Sequence, residues 1–374
     1  MHKRKILILG STGSVGKQAL EVIDQNRDLF EIDGLVCNDN LDLIENQAKY
    51  FGVKKIGIGN KDKYKKKNTN WYWGEDEVGM MIRNSKAEIV IMSISGAKSL
   101  KPTLAAIESG KDVALASKEV MVLAGKLVME KVKKNKVNLL PVDSEHSAIW
   151  QCLRGGQREE VEKVILTCSG GPFLNLNKKE FEKIKPEDAL KHPNWKMGPR
   201  ITIDCSTLLN KGMEFIEAKY LFDLKYEQIE IVIHPQSLIH SAVQYRDGSI
   251  MAQIANKDMR LPIQYALSYP KRWPNNFERI NWFGLNINFE KPNLDKFPSL
   301  YYALEACKIG GSMTVVLNAA DEIAVSLFLN KKIKFNDIPK IIKKTMEKHK
   351  VINNPNLNQI LEVDKWAREE AMVI

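Results

Sequence analysis

Cysteine is scarce. The 374 residues hold five, Cys37, Cys152, Cys168, Cys205 and Cys307, widely spaced, odd in number and never arranged as CxxC. That pattern excludes a disulfide framework and a cysteine zinc site, and it fits a reducing compartment. Long apolar runs are lacking as well. None reaches the ~18 residues that a membrane span needs, so no membrane partner is expected. An apolar strand begins within a few residues of Met1 and leaves no place for a signal peptide, so the expected compartment is the cytoplasm. Also missing is a basic stripe interleaved with aromatics, and no nucleic-acid partner is expected. The formal net charge is nevertheless +10. Much of the excess is lysine in solvated stretches such as residues 61–70, and a positive surface helps to collect an anionic substrate. Hydrophobic residues make up 44% and charged residues 27% of the chain, which places it among globular proteins with room for two or three domains.

What is present is organised around Pro141-Val142-Asp143-Ser144-Glu145-His146-Ser147-Ala148-Ile149-Trp150. An apolar strand from Val137 to Val142 enters it and a helical pattern leaves it. Asp143 therefore stands at a strand end, and Ser144 is placed to cap the following helix. Two carboxylates two residues apart at such a turn either favour the helix N-terminus or converge on a hard divalent cation, which relieves their repulsion.

The first third alternates strand and helix. Lys5-Ile6-Leu7-Ile8-Leu9 reads as a buried parallel strand and runs into Gly10-Ser11-Thr12-Gly13-Ser14-Val15-Gly16, then a helix from Lys17. Strand, glycine-rich turn and helix form the dinucleotide-binding arrangement, here spaced GxxGxxG. A second strand, Ile32 to Cys37, precedes Asp39 and Asn40. There an acidic side chain holds a ribose 2′-hydroxyl, so Asp39 points to NAD unless it is an ordinary loop residue. Strands at Lys55–Ile58, Ile89–Ser93 and Asp112–Ala116 continue the alternation. The last of these ends in Ser117-Lys118-Glu119, at the end of the sheet where open α/β folds bind ligands. Lys118 either meets a substrate anion there or is solvated.

In the middle third, Glu162 to Thr167 reads as a strand with some alternation, which need not belong to the parallel sheet. Cys168-Ser169-Gly170-Gly171-Pro172-Phe173 follows, a plain turn or an anion cradle of hydroxyl and backbone N–H groups. His192-Pro193-Asn194-Trp195-Lys196-Met197-Gly198 cannot be a regular helix, and its Trp195 and Met197 suit either packing or a lid. Ile201 to Asp204 is expected to be a strand, followed by a helix on which Asn210, Lys211 and Glu214 share a face. The charged pair there is a surface ion pair or part of a site.

These segments stand in the order and spacing of the 1-deoxy-D-xylulose 5-phosphate reductoisomerase family. The match includes Leu115–Glu119, Ile233-His234-Pro235-Gln236-Ser237 and Leu317-Asn318-Ala319-Ala320-Asp321-Glu322-Ile323-Ala324, so it resembles that family over nearly the whole chain. The resemblance implies NADPH-dependent rearrangement and reduction of 1-deoxy-D-xylulose 5-phosphate to 2-C-methyl-D-erythritol 4-phosphate in isoprenoid precursor synthesis. A divalent ion (Mg²⁺, Mn²⁺ or Co²⁺) chelates the substrate. The resemblance makes Asp143, Glu145 and Glu214 the metal ligands and, with Lys118, the catalytic set. It places Lys118, Ser144, Glu145, Ser169, His192, Cys205, Asn210, Lys211 and Glu214 at the substrate, and Trp195 and Met197 in a flap. Thr12, Gly13, Ser14, Val15, Asn40, Ser117, Glu119 and Gly198 fall at cofactor positions. Three positions depart from the family's habit. Ser117 stands where Asn is common and Cys205 where Ser is common, while Asp39 stands where Gly, Lys or Arg lies near the 2′-phosphate.

The expected architecture is α/β. It comprises an N-terminal Rossmann-like NADP-binding domain (1–142), a central α+β catalytic and dimerisation domain (143–265), a linker (266–290) and a C-terminal helical bundle (291–374). In the bundle, Met313–Leu329 and Ile338–Lys348 read as helices, the second capped by Asp337. His234 and His240 read as structural. A homodimer is expected. The alternatives are an NAD(P)-dependent dehydrogenase of another hydroxylated or phosphorylated substrate, and a non-catalytic dinucleotide sensor.

Overall fold

The computed structural model describes residues 3–60, 71–191 and 197–374. The chain divides into two compact units. One comprises Met1–Val120, Val128–Ser147 and Asp258–Phe277, and the other Met121–Leu127, Ala148–Lys257 and Glu278–Ile374.

The first unit is a parallel α/β layer structure. In chain order it runs β1 (Arg4–Leu9), α1 (Ser14–Asp24), β2 (Phe30–Cys37), α2 (Leu41–Phe51), β3 (Ile56–Ile58), β4 (Trp71–Trp73), α3 (Gly74–Asn84), β5 (Ile89–Met92), α4 (Leu100–Glu108), β6 (Asp112–Leu115), α5 (Glu119–Asn135) and β7 (Leu139–Pro141), ending in the first turn of α6 (Ser144–Cys152). The sheet order is β4-β3-β2-β1-β5-β6-β7, all parallel. Ile6, Leu7, Ile8 and Leu9 are completely buried, as are Ile89 to Met92. Continuous burial explains why these strands read as unbroken apolar runs. Strand order reverses between β1 and β5, so the carboxyl ends of these two strands form the crevice where such sheets bind ligands.

The second unit holds the smaller sheet. After α6 come β8 (Val161–Cys168), the single turn α7 (Pro186–Ala189), α8 (Pro199–Ser206), α9 (Leu209–Leu221), β9 (Ile229–Ile233), β10 (Ile239–Tyr245) and β11 (Ile250–Ile254). The order is β11-β10-β8-β9, with β8 parallel to β9 and antiparallel to β10. α10 (Arg260–Ser268) returns to the first unit, and α11 (Pro298–Ile309), α12 (Met313–Leu329), α13 (Ile338–Lys348) and α14 (Leu357–Val373) form the C-terminal bundle. Its core includes Phe173, Phe181, Phe297, Phe328 and Phe335, whose ring centroids lie 5.3–6.0 Å apart in tilted and edge-on pairs. Each buried ring contributes roughly 2–3 kcal/mol. Because Phe173 follows Gly170-Gly171-Pro172, this cluster anchors that loop.

Three local expectations need correction. Ile201–Asp204 is helical, inside α8. Pro199 at the first helical position has its φ preset and needs no donor, and Gly198 before it is extended at φ −65°, ψ 157°. These start signals, with Thr202 and Ile203 buried, override the β-propensity of Ile-Thr-Ile. Asp143, rather than Ser144, caps α6: its Oδ1 accepts the Glu145 N–H at 3.2 Å and its carbonyl accepts from Ser147. Ser144 is already inside the helix and donates to the Glu145 carboxylate. Asp337 stands at the N-cap of α13 but its side chain accepts no backbone N–H of the helix; it accepts instead from the Lys334 N–H at 3.0 Å, closing the turn before the helix, and from Lys340 Nζ at 2.9 Å.

Candidate active site

The glycine-rich turn fits a bound pyrophosphate because nothing larger than glycine fits its frame. Gly10 has φ +91°, and a Cβ there would lie 2.7 Å from the Ser93 carbonyl oxygen. A Cβ on Gly16 would lie 2.2 Å from the Gly10 oxygen. The turn is thus clamped against β5 at the switch point, and Ser93 Oγ donates to the Leu9 carbonyl at 2.7 Å. Gln47 supports the turn from α2 by donating to the Ser11 carbonyl at 3.0 Å. Thr12, Gly13, Ser14 and Val15 remain partly or fully exposed at the N-terminus of α1, whose first turn has no acidic side chain to repel an anion. Asn40 is exposed and caps α2, accepting the Leu43 N–H at 3.2 Å. Ser117 and Glu119 are buried and spend donors and acceptors on the β5 loop: Ser117 Oγ donates to the Ile94 carbonyl, and Glu119 Oε1 accepts the Gly96 N–H at 2.9 Å.

At the carboxyl ends of β6 and β7, the same sheet brings together three ionisable side chains. Lys118 Nζ lies 3.0 Å from Asp143 Oδ2, and His146 Nδ1 lies 3.1 Å from Asp143 Oδ1. The Lys118 side chain is 6% exposed, that of Asp143 12% and that of His146 0%. Lys118 is therefore no solvated surface lysine. Adjacent parallel strands carry it and Asp143 to the same height, because Leu115 pairs with Pro141. Glu145 stands two residues on with its carboxylate bound by Ser144. His146 was not among the expected site residues. Its three-residue spacing from Asp143 at a helix start is the signal that finds it.

The second unit carries its own cluster on α9. Asn210 Nδ2 donates to Glu214 Oε1 at 2.5 Å, and the Lys211 ammonium binds the other Glu214 oxygen. Asn210, Lys211 and Glu214 are all buried, so the surface-pair reading of the two charges is excluded. Glu217, one turn on and 1% exposed, is a second buried carboxyl there, signalled only by its spacing from Glu214. His240 on β10 is buried, and burial depresses its ring to about 4, so it stays neutral near pH 7. His234 is a framework residue: its ring binds the Asn288 carbonyl and accepts from the Leu238 N–H at 3.1 Å.

Ser169 lies in the loop after β8, where its Oγ accepts the Gly171 N–H at 3.3 Å. Gly171 has φ +69°, and a Cβ there would stand 2.6 Å from the Cys205 carbonyl oxygen. The loop is thereby pressed onto the last turn of α8, which carries the half-exposed Cys205. Met197 is half-buried and Gly198 exposed. His192 and Trp195 lie outside the described residues.

Models of one family match in three parts: "1-deoxy-D-xylulose 5-phosphate reductoisomerase" over residues 6–125, its "C-terminal domain" over residues 139–222, and "DXP reductoisomerase C-terminal domain" over residues 254–370. A 1-deoxy-D-xylulose 5-phosphate reductoisomerase of Thermoanaerobacter pseudethanolicus is 50% identical over 98% of both chains. This chain belongs to the 1-deoxy-D-xylulose 5-phosphate reductoisomerase family. Two solved members share its fold. The Zymomonas mobilis reductoisomerase in complex with NADPH is 39% identical, with a TM-score of 0.92 over 100% of this chain and 99% of its own. A second, in complex with NADPH, fosmidomycin and magnesium, is 36% identical, with a TM-score of 0.92 over 99% of this chain and 98% of its own.

Gly171→Ala tests the seat of the Ser169 loop. A methyl group at a left-handed φ, against backbone oxygen, is expected to destabilise the fold by about 1–3 kcal/mol, read as a lower urea midpoint at unchanged slope. A midpoint equal to wild type contradicts the close approach.

Proposed function

We propose that this chain is an NADPH-dependent reductoisomerase acting on 1-deoxy-D-xylulose 5-phosphate with a divalent metal ion. The observation that carries the reading is in the parallel sheet, whose strand ends present both the glycine cradle for a dinucleotide and the buried Lys118–Asp143 pair. The reaction rearranges the carbon skeleton and reduces the resulting aldehyde with hydride from NADPH, yielding 2-C-methyl-D-erythritol 4-phosphate, an isoprenoid precursor. Functionally we divide the chain into a nucleotide-binding part (1–142), a catalytic part (143–265), a linker (266–290) and a helical part (291–374).

The ligands assigned to the ion are Asp143, Glu145 and Glu214. All three offer carboxylate oxygen, the donor that Mg²⁺ and Mn²⁺ prefer, and no sulfur competes. Asp143 and Glu214 each already carry a cationic partner in their own unit, so each is built to sit beside positive charge. When bound, the ion supplies Lewis-acid polarisation of the substrate's carbonyl and hydroxyl oxygens and a template for their orientation. Lys118 fixes Asp143 and, with Ser144 and Asn210, offers donors to substrate oxygens. Lys211, Ser169 and Cys205 are assigned to the phosphate. A thiol donates weakly where a hydroxyl donates well, so the main-chain N–H groups of the Ser169–Gly171 loop take a larger share at Cys205 than they would beside serine. Thr12, Gly13, Ser14, Val15, Asn40, Ser117, Glu119 and Gly198 are assigned to the nucleotide.

We assign a homodimer. β11 is an edge strand with Ile250 and Met251 exposed by 53% and 47%, and the same unit exposes Trp282 by 64% and Phe283 by 92%. An open edge and exposed aromatics in one unit call for a covering partner. Light scattering is expected to give twice the 42.6 kDa of one chain, and a monomer at micromolar concentration contradicts it. Among the described residues no helix is long and apolar enough to cross a membrane, and the five cysteines are free, which supports the cytoplasm as the compartment.

The activity is tested by nicotinamide absorbance on mixing the protein with 1-deoxy-D-xylulose 5-phosphate, Mg²⁺ and either NADPH or NADH. Metal-dependent oxidation of NADPH is expected. Preference for NADH would assign Asp39 to the ribose hydroxyl and overturn the cofactor. No oxidation of either by folded, metal-supplied protein overturns the function.

A further inference from the structure

The second unit buries another group of carboxyls, which the reaction does not use. α8 contributes Arg200 and Asp204, and α12 contributes Asn318, Asp321 and Glu322. Asp321 is 0% exposed and Asp204 2%. Arg200 faces all three acids: Nε lies 3.7 Å from Asp204 Oδ2, Nη2 lies 3.6 Å from Asp321 Oδ2, and Nη1 binds Glu322. Its Nη2 donates to Asn318 Oδ1 at 2.9 Å. The guanidinium's short bonds therefore go to Glu322 and Asn318, and Asp321 has only its longer-range charge. Behind Glu322, Arg368 of α14 binds Glu322 Oε2 at 2.5 Å and Asp364 Oδ2 at 2.7 Å. Among the described residues, two guanidiniums thus serve four carboxyls.

Neither oxygen of Asp321 receives a hydrogen bond from an N–H or hydroxyl group among the described residues. The polar group against it is another carboxyl, Asp204. The charges that act on it are Asp204 and Arg200 from α8 and Glu322 from its own helix. α11, α13 and α14 also pack on α12, and α14 brings Arg368 to the far side of Glu322. Two ionised carboxylates in contact and out of water repel each other, and among the described residues Asp321 receives no donor. One proton between them removes a charge and supplies the donor.

We propose that Asp321 carries that proton at neutral pH and donates it to Asp204, and that this acid pair, steadied by Arg200, is a positioning device holding α8 on α12. α8 has Gly198 at its start and Cys205 in its last turn, so the device positions one residue assigned to the nucleotide and one assigned to the phosphate. Those two roles rest on the reductoisomerase reading, and the shared proton does not. Burial first, and the Asp204 charge second, hold Asp321 well above the usual carboxylate range. The consequence for stability has a definite sign. As pH rises past the ordinary carboxylate range, the unfolded chain releases this proton while the folded chain keeps it. Stability from this group therefore declines with rising pH until the folded Asp321 itself titrates.

Asp321→Asn supplies an N–H in place of the shared proton and escapes that decline. Its thermal midpoint is expected to match wild type near pH 5 and to exceed it by a few degrees at pH 8. A midpoint below wild type, with a deficit that grows towards pH 8, means an ionised Asp321 paired with Arg200 and overturns the proposal. Asp321→Leu keeps the volume and cannot bond Asp204. It is expected to raise KM for NADPH and for the sugar phosphate about tenfold, with Asp321→Asn within about twofold of wild type. Equal KM values in the two variants overturn the positioning role. If a variant does not fold, ¹³C NMR of wild-type protein labelled at the aspartate side-chain carboxyls decides. One protonated aspartate at pH 7 is expected, and a fully ionised set overturns the proposal. Absence of turnover with every nucleotide and metal defeats the reductoisomerase reading while the thermal and NMR results still judge the proton.

Discussion

Burying a carboxylate without a cation beside it costs several kcal/mol, and the architecture is arranged around meeting that constraint. Asp143 is nearly out of water at the end of β7, and it stays there because β6 delivers Lys118 to within 3.0 Å of it. That meeting requires in-register parallel strands, which in turn require helical crossovers and a sheet covered on both faces. His146 completes the set from the first turn of α6, itself started by the Asp143 carboxylate. α9 answers the same constraint within four residues, since Glu214 is held by Lys211 and Asn210 from its own helix. Each cluster is a carboxylate with a built-in cation, and that is the environment in which a divalent ion can be accepted in exchange for, or beside, an ammonium.

Close backbone approach is the second constraint. At Gly10 it brings the glycine-rich loop against the end of β5, at Gly16 it brings α1 against that loop, and at Gly171 it brings the Ser169 loop against α8. Behind the latter lies the phenylalanine cluster of the bundle, so the helical C-terminal segment supports the site through packing rather than through its own chemistry. Where charge does recur in that bundle, around Asp321, carboxyls outnumber cations among the described residues, and the proposed proton takes the place of a further cation. The two units thus manage buried acids in two ways, by ammonium groups at the site and by a shared proton in the support.

Much of this was legible in the residues. The β1 run and its glycines read directly, because a buried parallel strand leaves no polar positions to confuse the period. The helices Met313–Leu329 and Ile338–Lys348 match their expected bounds, since long periodic segments outvote local noise. The misread segment, Ile201–Asp204, has a strand-like composition, and its helix follows from Pro199 and from packing that no local pattern encodes. The cap at Asp143 was ambiguous because Asp and Ser are adjacent and equally suited, and only the backbone path decides. Lys118 and Lys211 were visible as residues, but their burial was not. A lysine reads as solvated until the fold supplies the carboxylate that pairs with it. Asp321 passed as one residue in a helical motif, because its partner Asp204 is 117 positions away and lies in the segment whose structure was misread.

We assign Asp143, Glu145 and Glu214 to one metal-holding set. Its most direct test is the Mg²⁺ dependence of NADPH oxidation in wild type, Asp143→Asn, Glu145→Gln and Glu214→Gln. Each variant is expected to raise the half-saturating Mg²⁺ concentration by about tenfold or more, with a matching loss of rate at fixed metal. Unchanged Mg²⁺ dependence in all three would contradict the account.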